Sequence, residues 1–209
     1  MQFVSPGRFI ALEGMEGAGK TSRLADLRAL LESRGIAVLT TREPGGTALG
    51  ERLRDLLLAP DQAPMTPLTE LLLMFAARSE HLQQVILPAL EAGQWVLCDR
   101  YVDASYAYQG AGRGLGNAPV AALEALLPHS ARPDLTLLLD LPVELGLARA
   151  KNRSASDRFE QESLAFHTRV REAYLRRAAE QPHRYRVIDA AAPPERVRAA
   201  VEAAVTDLL

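Results

Sequence analysis

Five short apolar segments recur along the chain, separated by longer stretches in which apolar side chains repeat with helical spacing. The apolar segments are RFIAL (8–12), IAVLT (36–40), WVLCD (95–99), LTLLLDL (135–141) and YRVID (185–189). They lack regular alternation with polar residues, which is typical of strands buried on both faces. Strands that alternate with helices are joined by right-handed crossovers, so the pattern predicts an α/β fold in which helices flank a mostly parallel sheet.

The helical stretches carry start and stop signals. Leucines repeat on one face of the first helix, and Gly35 is expected to end it. Thr47 is expected to cap the helix ALGERLRDLLL, and two longer amphipathic stretches cover residues 68–93 and 161–181. Because no repeat, linker or low-complexity segment interrupts this order, we predict a single domain spanning residues 1–209.

Charge and cysteine content exclude several classes of protein. The 209 residues carry a formal net charge of -2, so no global basic field attracts nucleic acid or anionic membranes. The single cysteine, Cys98, lies in an apolar segment and is expected to be a buried thiol in a reducing compartment. The N-terminal residues do not resemble a signal peptide, and no apolar run is long enough for a membrane helix. A cytoplasmic protein without nucleic-acid or membrane partners is expected.

A glycine-rich stretch joins the first predicted strand to the first predicted helix. Its sequence GMEGAGKT, residues 14–21, matches the G-x-x-x-x-G-K-[ST] pattern of a phosphate-binding loop in the required context. In such a loop, backbone N–H groups and the helix dipole face a phosphate. Lys20 would bridge the β- and γ-phosphates, and the Thr21 hydroxyl would bind Mg²⁺. The N-K-x-D segment with which a GTPase reads its base is missing from the sequence, which argues against a GTPase switch.

A second polar cluster follows the segment WVLCD. Asp99 and Arg100 stand at the carboxyl end of a predicted strand, where open α/β sheets bind ligands. The acid can hold a metal, and the guanidinium can bind a phosphate in bidentate fashion; a surface ion pair is the alternative. The glycine-rich GAGRGLG that follows predicts a mobile loop beside a site.

An arginine interrupts the apolar stripe of the stretch LTELLLMFAARSEHL. Phe75 and Arg78 continue the helical spacing of Leu71 and Met74. Arg78 could extend its charged end to solvent, or it could form a pocket wall. In a pocket, Phe75 would stack on a nucleobase and Arg78 would donate to an oxygen at its edge.

Four cations stand close together between two predicted helices: Arg149, Lys151, Arg153 and Arg158. A solvated charged surface is the ordinary interpretation. Phosphoryl transfer, however, needs cations that arrive after the substrates, and the interior of the phosphate loop, MEGA, offers no arginine. We therefore predict a lid, approximately residues 149–160, that supplies one.

Taken together, these motifs resemble bacterial thymidylate kinases. The matching stretches, in this order, are EGMEGAGKTS, TREPGGT, LMFAARSEH, DRYVDASYAYQG, RPDLTLLLDL and DRFEQES. The resemblance implies a three-layer P-loop NTPase fold with a five-stranded parallel sheet, assembled as a homodimer. It also implies transfer of the γ-phosphoryl group of ATP to dTMP, giving ADP and dTDP for dTTP synthesis, with Mg²⁺ as cofactor.

The same resemblance implies roles for individual residues. Those matching the ATP site are Gly14, Met15, Glu16, Gly17, Ala18, Gly19, Lys20, Thr21 and Ser22, with Arg149 along the adenine. Those matching the dTMP site are Glu16, Pro44, Phe75, Arg78, Arg100, Ser105, Tyr108 and Gln109, with Phe159 as a further contact. Glu16 approaches the 3′-hydroxyl, and Tyr108 crowds the 2′ position. Lys20, Asp99, Arg100 and Arg153 are expected to act in the transfer, with Thr21 and Asp99 at the metal.

Two other classes of function share part of this pattern. Another nucleoside monophosphate kinase, or a deoxynucleoside kinase, would keep the phosphate loop and the lid but prefer a different acceptor. A nucleotide-binding regulator would bind ATP without a pocket for a second substrate.

Overall fold

Five parallel strands form one sheet in the order β2-β3-β1-β4-β5. The computed structural model describes residues 7–60, 63–128, 131–151 and 157–209. The strands are β1 (Phe9–Glu13), β2 (Val38–Arg42), β3 (Trp95–Asp99), β4 (Leu135–Asp140) and β5 (Tyr185–Asp189). The predicted five-stranded parallel sheet is confirmed.

Helices cover both faces of this sheet. Within the described residues they are α1 (Lys20–Ser33), α2 (Ala48–Leu58), α3 (Pro67–His81), α4 (Leu87–Glu91), α5 (Val102–Ser105), α6 (Asn117–Glu124), α7 (Val143–Lys151), α8 (Leu164–Glu180) and α9 (Pro194–Val205). Side chains of β1 alternate between two cores because successive residues of a strand point to opposite faces. Ile10 packs with α1 and α9, whereas Phe9 packs with α3 and the segment after it. The three-layer arrangement follows.

Burial of the strands depends on their place in the sheet. The central strands β1, β3 and β4 are buried almost throughout, whereas β2 is only partly buried and β5 exposes Val187 by 52%. The prediction that all five strands are buried on both faces is therefore wrong for the two edge strands. Helices that cover the middle of a twisted sheet leave its outer strands partly open.

The local signals at helix ends behave as predicted. The Thr47 hydroxyl accepts a hydrogen bond from the Gly50 N–H at 2.9 Å, which caps α2. Helix α1 ends at Ser33, and Gly35 follows with φ of 76°. Cys98 is a fully buried free thiol.

Two π-helical segments were not predicted. The stretch 68–93 is not one continuous α-helix, because the π-helical segment Leu82–Ile86 separates α3 from α4. A second one, Tyr106–Gly112, continues α5. Such segments often lie at functional sites, and the second one borders the cavity described below. Among the described residues, every helix is too short or too polar to cross a bilayer.

Candidate active site

A cavity of about 430 Å³ opens at the carboxyl ends of β1 and β3. This is the edge at which open α/β sheets bind their ligands. It brings together residues from the phosphate loop, from the turn after β2, from α3 and from the region after β3. The predicted site residues that line it are Glu16, Gly17, Gly19, Lys20, Thr21, Pro44, Arg78, Asp99, Arg100, Ser105, Tyr108, Gln109 and Phe159.

The phosphate loop has the backbone that its glycines allow. Gly14, Gly17 and Gly19 all have positive φ, and a Cβ at Gly17 would lie 2.0 Å from the Gly146 carbonyl oxygen. Lys20 Nζ donates to the carbonyl oxygens of Gly14 and Met15, each at 3.0 Å. Burial and the nearby Arg100 charge lower the pKa of Lys20 to about 8. The ammonium is therefore held at the loop where phosphates would arrive.

Two oxygen donors on the cavity suit a magnesium ion. Thr21 is the second residue of α1, and Asp99 is the last residue of β3; both line the cavity. Mg²⁺ typically takes one or two carboxylates and completes its shell with waters and substrate phosphates. The hydroxyl of Thr21 and the carboxylate of Asp99 fit that donor set.

The side chain of Arg100, the residue directly after β3, reaches the phosphate loop. Its Nη1 donates to the Gly14 carbonyl oxygen at 2.9 Å, and its Nη2 donates to Glu16 Oε1 at 2.8 Å. The guanidinium lies over the Tyr108 ring, 4.8 Å from its centroid. With φ of 68°, Arg100 is the one non-glycine residue of positive φ in the described parts of the chain. The alternative of a surface ion pair between sequence neighbours is excluded.

Glu16 is the acidic group of the phosphate loop. Its Oε1 accepts a hydrogen bond from the Tyr108 hydroxyl at 2.6 Å in addition to that from Arg100. Burial alone would raise the pKa of Glu16, but Arg100, Lys20 and the Tyr108 hydroxyl lower it below its ordinary value. Glu16 therefore stays ionised, and Oε2 makes no hydrogen bond to described residues, with His167 Nδ1 at 3.7 Å.

Arg78 is buried, with 2% of its surface exposed, so the alternative in which its charged end reaches solvent is wrong. Its Nε donates to Glu43 Oε2 at 2.7 Å, while its terminal nitrogens donate to Ser105 Oγ and to the Tyr101 carbonyl oxygen. Burial would lower the pKa of Arg78, but the Glu43 carboxylate raises it. These contacts use one N–H of each guanidinium nitrogen and leave two of its five N–H groups for a ligand.

Phe75 lies beneath Arg78 rather than on the cavity surface. The Arg78 guanidinium stands 4.6 Å from the centroid of the Phe75 ring, and Phe75 is 6% exposed. The other predicted residues that do not line the cavity are Gly14, Met15, Ala18, Ser22 and Arg149. Arg149 donates to the Ala190 carbonyl oxygen at 2.8 Å, beside the loop after β5. Arg153 lies outside the described residues.

A buried carboxylate, Glu70 of α3, contacts the cavity-lining residue Gln109 from within a cluster of charged side chains. It accepts hydrogen bonds from Gln109 Nε2 at 2.8 Å and from Arg113 Nε, and it pairs with Arg158 Nη2 at 2.7 Å. Arg158 thus belongs to this cluster, so the alternative of a solvated charged surface does not hold for this residue. Gln109 lines the cavity with its orientation fixed by Glu70.

The sequence motifs did not single out Glu43 and Arg54, which line the cavity, or Glu13 and Tyr174, which hydrogen-bond to Tyr101 and Arg100. Glu13, a fully buried carboxylate, ends the apolar strand FIALE, and its position there was a signal that could have been used. Arg54 lines the cavity and donates to the Pro44 carbonyl oxygen at 2.8 Å. An arginine on an amphipathic helix is ordinary, so nothing in the sequence set Arg54 apart.

Comparisons with known proteins agree with this geometry. Residues 12–201 match the family model described as "Thymidylate kinase". A thymidylate kinase from Alcanivorax borkumensis is 58% identical over 192 residues, covering 92% of this chain and 92% of that protein. One from Pseudomonas entomophila is 57% identical over 203 residues, 97% of each chain. The crystal structure of thymidylate kinase from Ehrlichia chaffeensis superposes with a TM-score of 0.78 and 32% identity, covering 97% of this chain and 100% of that one. The resemblance indicated by the motifs is confirmed.

Proposed function

We propose that this chain, which belongs to the thymidylate kinase family, transfers the γ-phosphoryl group of ATP to dTMP, giving dTDP and ADP. The main support for the proposal is a single cavity lined on one side by the phosphate loop and on the other by a second polar wall, formed by Arg78, Ser105 and Gln109. Lys20 stands at the loop, and Arg78 stands at the other wall with unused donors. A protein that only binds ATP has no need of this second wall.

The acceptor would lie between the turn after β2 and the π-helical segment. Pro44, Ser105 and Gln109 line that part of the cavity, and Arg78 would donate to a carbonyl oxygen of the thymine. Phe75 would support the base through Arg78 in the geometry seen here. Tyr108, held by Glu16, would crowd the 2′ position, while the ionised Glu16 would face the 3′-hydroxyl.

ATP would bind with its phosphates on the loop Gly14–Ser22. Thr21 and Asp99 would hold Mg²⁺, which neutralises phosphate charge when bound. Arg149, fixed to the Ala190 carbonyl oxygen, would lie along the adenine. Within the phosphate loop, Met15 and Ala18 would contribute backbone N–H groups rather than side chains.

The chain's own residues would bind and orient both phosphates for a direct in-line transfer. Lys20 and Arg100 would offset charge on the transferring group, and Arg153 of the proposed lid would add to them. The acceptor phosphate is already largely ionised near neutral pH, so no general base is needed. No covalent intermediate on the protein is required.

The proposal is tested by offering the purified protein ATP and Mg²⁺ with one acceptor at a time. The acceptors are dTMP, dUMP, UMP, dCMP, dGMP and thymidine, and the products are separated by chromatography. We expect dTMP to give dTDP far faster than any other acceptor. Preference for another monophosphate or for thymidine would refute the acceptor assignment, and ATP binding without transfer would indicate a regulator.

We also propose a homodimer formed through α2 and α3. These helices pack on each other, and Leu49, Leu56, Leu68 and Leu72 on them are each 40% to 49% exposed. Leu49 and Leu56 are seven residues apart, and Leu68 and Leu72 are four apart, so each pair shares one helix face. Exposed apolar groups on adjacent helices are typical of an interface.

Charging that surface should separate the subunits. In Leu68→Glu/Leu72→Glu, four carboxylates would be buried in a symmetric interface, so we expect half the wild-type molar mass by light scattering. Leu164→Glu, on the equally exposed first residue of α8, is the matched control and should keep the wild-type mass. An unchanged mass for the double variant would place the interface elsewhere.

We further propose a cytoplasmic location and one domain across residues 1–209. The free, buried Cys98 thiol suits a reducing compartment. The sheet order places the first and last strands next to β4, so both ends of the chain contribute to one core.

A further inference from the structure

Glu13 is an ionisable group buried beside the phosphate loop, although it does not line the cavity. It is the last residue of β1, directly before Gly14, and none of its surface is exposed. Burying a carboxylate in an apolar strand costs free energy unless its oxygens are hydrogen-bonded. We therefore expect Glu13 to have a role that a leucine at this position could not fill.

Both oxygens of Glu13 are hydrogen-bonded to groups that adjoin Arg100. Oε1 accepts a hydrogen bond from the Tyr101 N–H at 2.8 Å, and Oε2 accepts one from the Tyr174 hydroxyl at 2.7 Å. The same Tyr174 hydroxyl accepts a hydrogen bond from Arg100 Nη1 at 3.3 Å. One carboxylate thus fixes the peptide that follows Arg100 and, through Tyr174, the end of the Arg100 side chain.

Arg100 needs such support because its backbone is strained. A non-glycine residue at φ of 68° persists only where the surroundings determine its conformation. The Arg100 N–H donates to the Leu12 carbonyl oxygen at 2.9 Å, and the Tyr101 N–H donates to Glu13. Consecutive residues of β1 therefore hold both sides of the strained residue.

We propose that Glu13 is a positioning residue, which sets the Arg100 guanidinium in its place through the Tyr101 N–H and the Tyr174 hydroxyl. Arg100 then meets the phosphates with little reorganisation. The inference rests on the proposed phosphoryl transfer, in which Arg100 contacts the reacting groups. Glu13 itself touches neither substrate.

The free-energy cost of this arrangement supports a functional role. Burial and the nearby Asp103 carboxylate raise the pKa of Glu13 to about 7, against the opposing effects of Tyr174 and Arg100. Above that pH, the ionised carboxylate is less stable in the folded protein than in the unfolded chain. A group that served stability alone would not be maintained at such a cost.

The test is Glu13→Gln, which keeps the shape and an oxygen for the Tyr101 N–H. Its amide would donate to the Tyr174 hydroxyl, which then has no acceptor for its own proton. We expect kcat to fall at least tenfold, with KM for dTMP and ATP changed less than about threefold. Because a buried charge is removed, the variant should unfold at the same or a higher temperature than the wild type near pH 8.

Two further variants separate positioning from stability. Tyr174→Phe should also lower kcat. The kcat of the double variant Glu13→Gln/Tyr174→Phe should be no lower than that of Glu13→Gln, because both residues act on Arg100 through the same hydrogen bonds. Tyr106→Phe is the matched control. It also removes a hydrogen bond from a tyrosine hydroxyl to a glutamate, here Glu124, but this pair does not line the cavity, so the variant should keep wild-type kcat. A wild-type kcat in Glu13→Gln would overturn the inference. So would a loss of kcat that is explained by a lower unfolding temperature of the variant.

A crystal structure of Glu13→Gln gives a readout that needs no turnover. We expect the Arg100 guanidinium to leave the Gly14 carbonyl oxygen and the Tyr174 hydroxyl. If the wild type phosphorylates no monophosphate, the proposed function fails, and this structure still decides the role of Glu13. An Arg100 side chain unmoved in the variant would refute it.

Discussion

Replacing Arg100 with methionine should lower kcat/KM for dTMP about a thousandfold, or about 4 kcal/mol of transition-state stabilisation. Methionine keeps much of the length and removes the charge. The variant would lose the proposed bidentate contact to the acceptor phosphate and leave Glu16 without the arginine that keeps it ionised. Most of the loss should be in kcat, because the charge on the transferring group is greatest in the transition state.

Steady-state kinetics with both substrates varied would measure this effect. Arg100→Lys should recover only part of the rate, since an ammonium is a point charge that cannot reach Gly14 and Glu16 with two parallel donors. Arg198→Met is the matched control, because Arg198 pairs with Glu202 on the exposed face of α9. Activity of Arg100→Met within about threefold of the wild type would refute the role of Arg100.

The second large effect should come from Asp103→Asn, which we expect to lower the free energy of unfolding by about 3 to 5 kcal/mol. Asp103 is fully buried and pairs with Arg177 at 2.5 Å and with Arg184 at 3.2 Å. An asparagine would leave two largely buried guanidinium groups without a counter-charge. Urea unfolding would measure the loss, with Asp207→Asn, at an exposed ion pair, expected to change stability by less than about 0.5 kcal/mol.

The pH dependence of the Asp103 effect follows from its pKa. Burial would raise the pKa, but Arg177 and Arg184 lower it below the ordinary value of 3.8. A carboxylate with a lowered pKa in the folded state stabilises the protein above its unfolded-state pKa, and this contribution is lost as the pH falls through the folded-state value. The difference between wild type and Asp103→Asn should therefore be full near pH 7 and shrink below about pH 4. A difference that grows on acidification would contradict the assignment.

The sequence predicted best those parts of the site that are contiguous in the chain. The phosphate loop carries its glycines, lysine and hydroxyl within eight residues, so its backbone and its place after β1 follow from local pattern. The partners of Arg78 could not be predicted, because Glu43 and Ser105 are 35 and 27 residues away. Their meeting depends on the sheet order, which periodicity does not determine.

Local irregularities also escaped prediction. Nothing in DRY marks Arg100 for positive φ, since arginine has no preference for that region. The π-helical segment Tyr106–Gly112 has the same spacing of polar and apolar side chains as an α-helix over so few residues. These features are set by tertiary contacts, and they occur where the chain faces the cavity.

The two outer strands of the sheet bear on self-association. Each leaves one row of backbone groups unpaired, and such rows can recruit a strand from another copy and lead to aggregation. Arg42 at the end of β2 and Arg186 within β5 put charged side chains on these two strands, where Arg42 pairs with Glu51 and Arg186 with Asp207. Charged side chains on an edge strand disfavour the addition of a sixth strand, so both edges of the five-stranded sheet are protected against growth.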